Sequence, residues 1–100
     1  MAKYRVLIYS SAERDMEEII DYVNSLSPIA AYKLYDEIVS KISSLGEMPE
    51  RCALVKENNL KLKGYRFLCV ENYIVFFIIK GKVVQIRRIV YSKRNFNEIL

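Results

Sequence analysis

Tyr73 to Ile79 reads YIVFFII, seven consecutive apolar residues that are β-branched or aromatic. A run of this kind suits a central strand covered on both faces. It is far shorter than the ~20 residues a membrane span needs. Two-residue connections that suit tight hairpins flank it, Glu71-Asn72 before and Lys80-Gly81 after. The stretch from Lys61 to Arg94 therefore reads as a three-stranded antiparallel meander with basic residues at both ends.

Upstream, Lys3 to Tyr9 alternates as a first strand. Ser10 then opens Ser10-Ser11-Ala12-Glu13, the pattern of a capping box that starts a helix. Asp15, Glu17 and Glu18 suit the positive end of its dipole. Ala12, Met16, Ile19, Ile20, Val23 and Leu26 recur at helical spacing and form its expected buried stripe. Glu13, Glu17, Asp21 and Asn24 fall on the far side.

Ser27-Pro28 begins a second helix, with serine as N-cap and proline in the first turn. Its stripe is Ala31, Leu34, Tyr35, Ile38, Val39, Ile42 and Leu45. Gly46 is expected to supply a left-handed stop, and Pro49 forbids continuation. Met48 to Leu60 lacks periodicity and reads as a loop. The tail from Lys93 to Leu100 has room for one or two helical turns, with Phe96, Ile99 and Leu100 as an apolar anchor. The fold class is α+β in the order β-α-α-β-β-β, one domain spanning residues 1–100. A helical hairpin packs on one face of a mostly antiparallel sheet.

Pairing Val70 with Tyr73 and Ile79 with Lys82 assigns the faces. Arg66, Leu68, Val70, Tyr73, Val75, Phe77, Ile79, Val84, Ile86, Arg88 and Val90 share the face expected under the helices. Tyr65, Phe67, Cys69, Ile74, Phe76, Ile78, Val83, Gln85, Arg87, Ile89 and Tyr91 share the other. One helical hairpin cannot cover both faces. An apolar face without its own cover marks a site for another chain, so Phe67, Ile74, Phe76 and Gln85 are expected to bind a partner segment.

Charge divides unevenly. Residues 1–50 carry five Lys/Arg against nine Asp/Glu, and residues 51–100 carry eleven against three; the nets of −4 and +8 sum to +4. A basic half of this size suits a polyanionic target. Cys52 and Cys69 lack metal-site or redox spacing and are expected as small buried thiols in a reducing, cytoplasmic setting. No histidine is present, and no cofactor, metal or membrane partner is expected.

The helix start SSAERDMEEIIDYV, the helix end SSLGEMPER, the stretch LKGYRFLCVENYIVFFI and the close RRIVYSKRNFNEIL resemble the RelE/ParE family of toxins from type II toxin–antitoxin, or plasmid stabilisation, systems. The resemblance spans nearly the whole chain. It implies a small toxin neutralised by a cognate antitoxin whose flexible segment wraps it. It also implies one of two targets, ribosome-bound mRNA for RelE-like ribonucleases or DNA gyrase for ParE-like inhibitors. A homodimer and a heterotetramer with the antitoxin both stay open.

RNA cleavage through the 2′-OH needs a proton acceptor, a proton donor and cations for the developing phosphorane charge. Where RelE-like members carry an arginine after the central-strand tyrosine, this chain has Ile74, and a C-terminal tyrosine matches Ile99. As a ribonuclease it would rely on Arg87, Tyr91, Lys93 and Arg94 for catalysis. Lys61, Lys63, Arg87, Lys93 and Arg94 are the candidates for target or RNA binding. Arg88 is expected to pair with Asp15 or Glu18 rather than touch substrate, because a buried charge needs a partner. The missing arginine and the absent histidine favour gyrase inhibition; an mRNA endoribonuclease and an inactive binding protein are the alternatives.

Overall fold

The computed structural model describes residues 3–96 and 99–100. Strand β1 (Arg5–Ile8) leads into helix α1 (Ser10–Leu26) and helix α2 (Pro28–Ser43). Two single 3-10 turns, Ser44–Gly46 and Pro49–Arg51, precede the short helix α3 (Asn58–Leu62). Strands β2 (Tyr65–Val70), β3 (Tyr73–Lys80) and β4 (Val83–Tyr91) complete the chain in the expected order. The sheet runs β1-β4-β3-β2, with β1 parallel to β4 and the other pairs antiparallel.

The two helix starts differ. Ser27 caps α2 as expected, its Oγ accepting from the Ala30 amide at 3.2 Å, with Pro28 in the first turn. The capping box at Ser10 does not form: the helix begins one residue earlier than the motif requires, and Tyr9 precedes it without a side-chain cap. Ser11 instead donates to the carbonyl of Arg87 on β4. The left-handed residue after α2 is Met48 rather than Gly46. Gly46 serves through its carbonyl, which accepts from the Tyr4 amide at 2.8 Å and ties the helix end to the start of β1.

The central run behaves as its composition demands. Val75, Phe76 and Phe77 are all buried, so both faces of β3 are covered. Beneath the helices, Val75, Phe77, Val84, Ile86 and Ile89 pack with Ala12, Ile38 and Ile42. Expected burial fails at three helical positions: Leu26, Tyr35 and Val39 are exposed. Tyr35 and Val39 line an open groove beside α1 instead of the sheet.

The β3–β4 register corrects the expected faces. The turn is Gly81-Lys82, and Ile79 pairs with Val84 instead of Lys82. That two-residue shift alone would preserve the faces. A β-bulge does not: Phe77 pairs with Ile86 but Phe76 pairs with Arg88, leaving Arg87 as the extra residue. Beyond it Ile89 and Tyr91 join Val75 and Tyr73 under the helices, while Arg88 and Val90 join Phe76 and Ile74 on the other face.

That other face is not open, which overturns the expected bare partner site. Val55 and Leu60 of the 52–63 segment cover Tyr65, Phe76 and Val90, and Phe96, Ile99 and Leu100 pack against the same cluster. Phe76 is 1% exposed, its ring 4.9 Å from that of Phe96. The segment expected as bare loop thus contains α3 and a bridge from Leu54 to Arg66, and it forms a second apolar layer. Asn97 and Glu98, within the expected tail helix, lie outside the described residues.

The cysteines also separate. Cys52 is buried, and burial raises its thiol pKa, but Cys69 is exposed on edge strand β2. Iodoacetamide at neutral pH is expected to label Cys69 in the native chain and Cys52 only in denaturant, as peptide mapping would show.

Glu71 opens the β2–β3 turn with φ +52°, a left-handed conformation costing a non-glycine residue roughly 1–2 kcal/mol. Its carboxyl also raises the pKa of Glu37 on α2. Glu71→Gly is expected to stabilise the fold by about 0.5–1 kcal/mol through the backbone alone. Because Glu37 is raised in the folded state, its contribution is present in acid and lost as pH rises through that raised value. The variant's advantage in urea midpoint is therefore expected to be larger at neutral pH than in acid.

Candidate functional site

The bulge at Arg87 organises the chemistry-bearing side chains. Strand β1 ends at Ile8, opposite Ile86, so beyond that point no strand pairs with the outer edge of β4. The first turns of α1 take its place. Ser11 Oγ donates to the Arg87 carbonyl at 2.8 Å, and Asp15 Oδ2 accepts the Ile89 amide at 2.9 Å. Buried backbone groups need such partners, and these two side chains supply them where the strand pairing stops.

Asp15 also holds Arg88. The guanidinium donates through Nε at 2.7 Å and Nη2 at 2.9 Å, a bidentate pair. The carboxylate raises the arginine's pKa, chiefly through this hydrogen bond. A third contact runs from Arg88 Nη1 to the Ile99 carbonyl at 3.4 Å. The expected pairing of Arg88 with an α1 carboxylate is thus present, with Asp15, and the arginine links helix, strand and tail.

Arg87 points to the same sheet face but stays accessible. Its Cζ lies 4.7 Å from the Tyr9 ring centre and 5.9 Å from that of Tyr65, and Nη1 donates to Gln85 Oε1 at 3.3 Å. Aromatic faces hold a guanidinium in place without neutralising it. Arg87, Tyr9 and Tyr65 line a pocket of about 230 Å³ with Ser11, Arg88, Ile99 and Leu100. Leu100 also borders an adjoining pocket that contains Lys63. The arrangement can hold an anion.

The other candidates do not converge on it. Tyr91 lies four residues further along β4, about 13 Å at ~3.3 Å per residue. It points to the opposite face, edge-on to Tyr73 with ring centres 5.8 Å apart. Lys93 and Arg94 follow in an exposed turn beyond the strand. Lys61 is exposed on α3. Groups that act on one phosphate must lie within hydrogen-bond reach of it, and Arg87 and Tyr91 flank opposite sides of the sheet.

Of the expected partner-binding residues, Phe67 and Ile74 line a small apolar pocket of about 260 Å³ with Val55, Phe76 and Phe96. Phe76 forms the floor of this face rather than its surface, and Gln85 is engaged by Arg87. Arg66 proves structural, donating from Nη1 to the carbonyls of Glu50 and Cys52. A larger opening lies elsewhere. Ile20, Tyr35 and Val39 face an apolar groove of about 350 Å³ between the helices, floored by Ala12 and Ile42 and rimmed by Glu13, Glu17 and Asp21.

The roles of Tyr9 and Ser11 escaped the sequence reading. The available signal was Arg87-Arg88 in an otherwise alternating strand: two adjacent charges imply either a buried charge or a break in alternation. The structure has the break.

A helical hairpin on a four-stranded, mostly antiparallel sheet, with a basic sheet face and a docked tail, defines the class of small α+β toxins built on the RelE/ParE scaffold. The family described as ParE toxin of the type II toxin–antitoxin system parDE matches residues 6–96, and the chain belongs to it. Among solved structures, the chain is similar to one from a chromosomal ParDE toxin–antitoxin system of P. aeruginosa: TM-score 0.76, 26% identity, 93% of this chain and 100% of that one covered. The RelBE2 toxin–antitoxin complex of Mycobacterium tuberculosis shares the fold, with TM-score 0.63, 18% identity, and 89% and 98% covered. No curated protein sequence matches.

Proposed function

We propose that the chain acts as a ParE-like toxin that inhibits DNA gyrase by binding, without cutting RNA, and that a cognate antitoxin neutralises it in the cytoplasm. The observation that carries this reading is the separation of Arg87 from Tyr91 onto opposite sheet faces. The chain has no histidine, and the expected ribonuclease set of Arg87, Tyr91, Lys93 and Arg94 is not gathered around the accessible guanidinium. Arg87, Lys61 and Lys63 then serve as cationic contacts. Family membership and the ParDE relative support the antitoxin.

The covered sheet face changes where that antitoxin would lie. The groove between α1 and α2 offers open apolar surface to a wrapping segment, whereas Phe67 and Ile74 offer only a shallow pocket and Phe76 requires Phe96 to move.

Translating ribosomes exposed to the purified chain test the reading. Primer extension is expected to show intact mRNA. Cuts at codon positions that disappear with Arg87→Ala would establish the ribonuclease alternative instead.

A further inference from the structure

At the far end of the sheet from the Arg87 pocket, α1 and the hairpin ends bring together a second set of side chains. Tyr91 packs edge-on to Tyr73, and both phenol rims reach the surface. Tyr22 of α1 stands close enough that it and Tyr91 both raise the Tyr73 phenol's pKa, after the larger effect of burial. Tyr22 is 65% exposed, and Leu26, one turn on along the same flank of α1, is 69% exposed. Nothing in the fold needs these rings uncovered. The core is complete without Tyr22 and Leu26, which belong to neither buried cluster.

Charges of both signs surround the rings. Lys93 and Arg94 follow Tyr91 directly, and their side chains have no hydrogen bond or ion pair among the described residues. On the other side, the Ser92 amide donates to the Asn72 carbonyl at 2.8 Å, which brings the β2–β3 turn alongside. That turn carries Glu71, paired with Glu37 of α2. An aromatic centre ringed by mixed charge has the composition of a protein interface, where Tyr and Arg supply most of the binding energy.

We infer that Tyr22, Leu26, Tyr73 and Tyr91, with Lys93 and Arg94, form the surface through which this toxin docks onto a protein target. The matching patch has an apolar centre and carries carboxylates opposite Lys93 and Arg94. A nucleic acid suits the surface less well. Two cations give few phosphate contacts, and the Glu37–Glu71 pair would repel a backbone crossing the rings. The inference deepens the binding-toxin reading and rests on it, but it names a place on the molecule that stays testable if the target is not gyrase.

The test is growth arrest on induction in cells, which reads toxicity whatever the target. Tyr22→Ala and the pair Lys93→Glu/Arg94→Glu alter exposed side chains, so wild-type melting temperatures are expected, measured on the purified chains. Each is expected to need at least about tenfold more expressed protein, by quantitative immunoblot, to arrest growth. Lys80→Ala, exposed at the opposite end of β3 from Tyr73, is expected to behave as wild type. Folded Tyr22→Ala and charge-reversed chains that arrest growth at wild-type levels would overturn the inference. Single-stranded DNA or RNA of about 20 nucleotides bound by the wild type, and lost by both variants together with toxicity, would overturn it in favour of a nucleic-acid target. Failure of the wild type to inhibit purified gyrase would overturn the gyrase reading alone.

Discussion

Phe76→Ala is expected to destabilise the chain by roughly 3–5 kcal/mol, the cost of emptying a filled site in a packed core. For a domain of this size that lowers the melting temperature by about 12–30 °C. The magnitude separates two accounts of the sheet. On an open face awaiting a partner, Phe76 would be half in water and its loss would cost well under half as much. In the structure it lies between Val90 and Tyr65, stacked on Phe96 and roofed by Val55 and Leu60. Phe96→Ala, at a half-buried position, is expected to lose roughly 1–2 kcal/mol. Its effect should not add to that of Phe76→Ala, because the two rings touch. Urea unfolding of the two single variants and the double variant measures all three quantities.

Asp15→Ala is expected to cost about 2–4 kcal/mol. The side chains of the pair are 12% and 28% exposed, so the loss falls below that of a fully buried pair cut on one side, roughly 3–5 kcal/mol. The substitution removes two charge-assisted hydrogen bonds from Arg88 and also orphans the Ile89 amide. The two contributions can be separated. Asp15→Asn keeps an acceptor for Ile89 but gives up the charge, so it should recover about 1 kcal/mol of the loss. Arg88→Met in the Asp15→Ala background should recover more, since it removes the stranded guanidinium. Amide exchange at Ile89 reports the local opening directly and is expected to be fast in Asp15→Ala and slow in wild type.

Element order was legible because each signal was local and strong. The apolar run of β3 and the Ser27-Pro28 start of α2 each have one simple reading and stand in the structure, and the 3.6-residue stripes place both helices although Leu26, Tyr35 and Val39 are exposed. The errors share a different origin. A β-bulge adds a residue without altering composition, so nothing local announced that Arg88 and Val90 would trade faces with Ile89 and Tyr91. The cover over Phe76 comes from residues 52–63, whose apolar Val55 and Leu60 are too sparse to show periodicity, and from a tail whose Phe96 lies twenty residues beyond Phe76. Ser10 to Glu13 has the composition of a capping box, but in the fold the Arg87 carbonyl takes Ser11. Tertiary partners outside the window decided each of these cases.

The candidate site was half legible. Arg87 on the second face, Arg88 paired with Asp15 and the apolar anchor at Phe96, Ile99 and Leu100 follow from charge burial and pattern, and the structure contains all three. Gathering Arg87, Tyr91, Lys93 and Arg94 into one constellation did not follow. Closeness in sequence along a strand means opposite faces as often as it means contact.

The central claim is that this ParE-family chain acts by binding a protein and performs no RNA chemistry. Its most direct test is titration of the purified chain into a DNA gyrase supercoiling reaction on relaxed plasmid. The account predicts a dose-dependent loss of supercoiled product that disappears with Lys93→Glu/Arg94→Glu. Supercoiling that proceeds unimpaired at a large molar excess of folded toxin would contradict it.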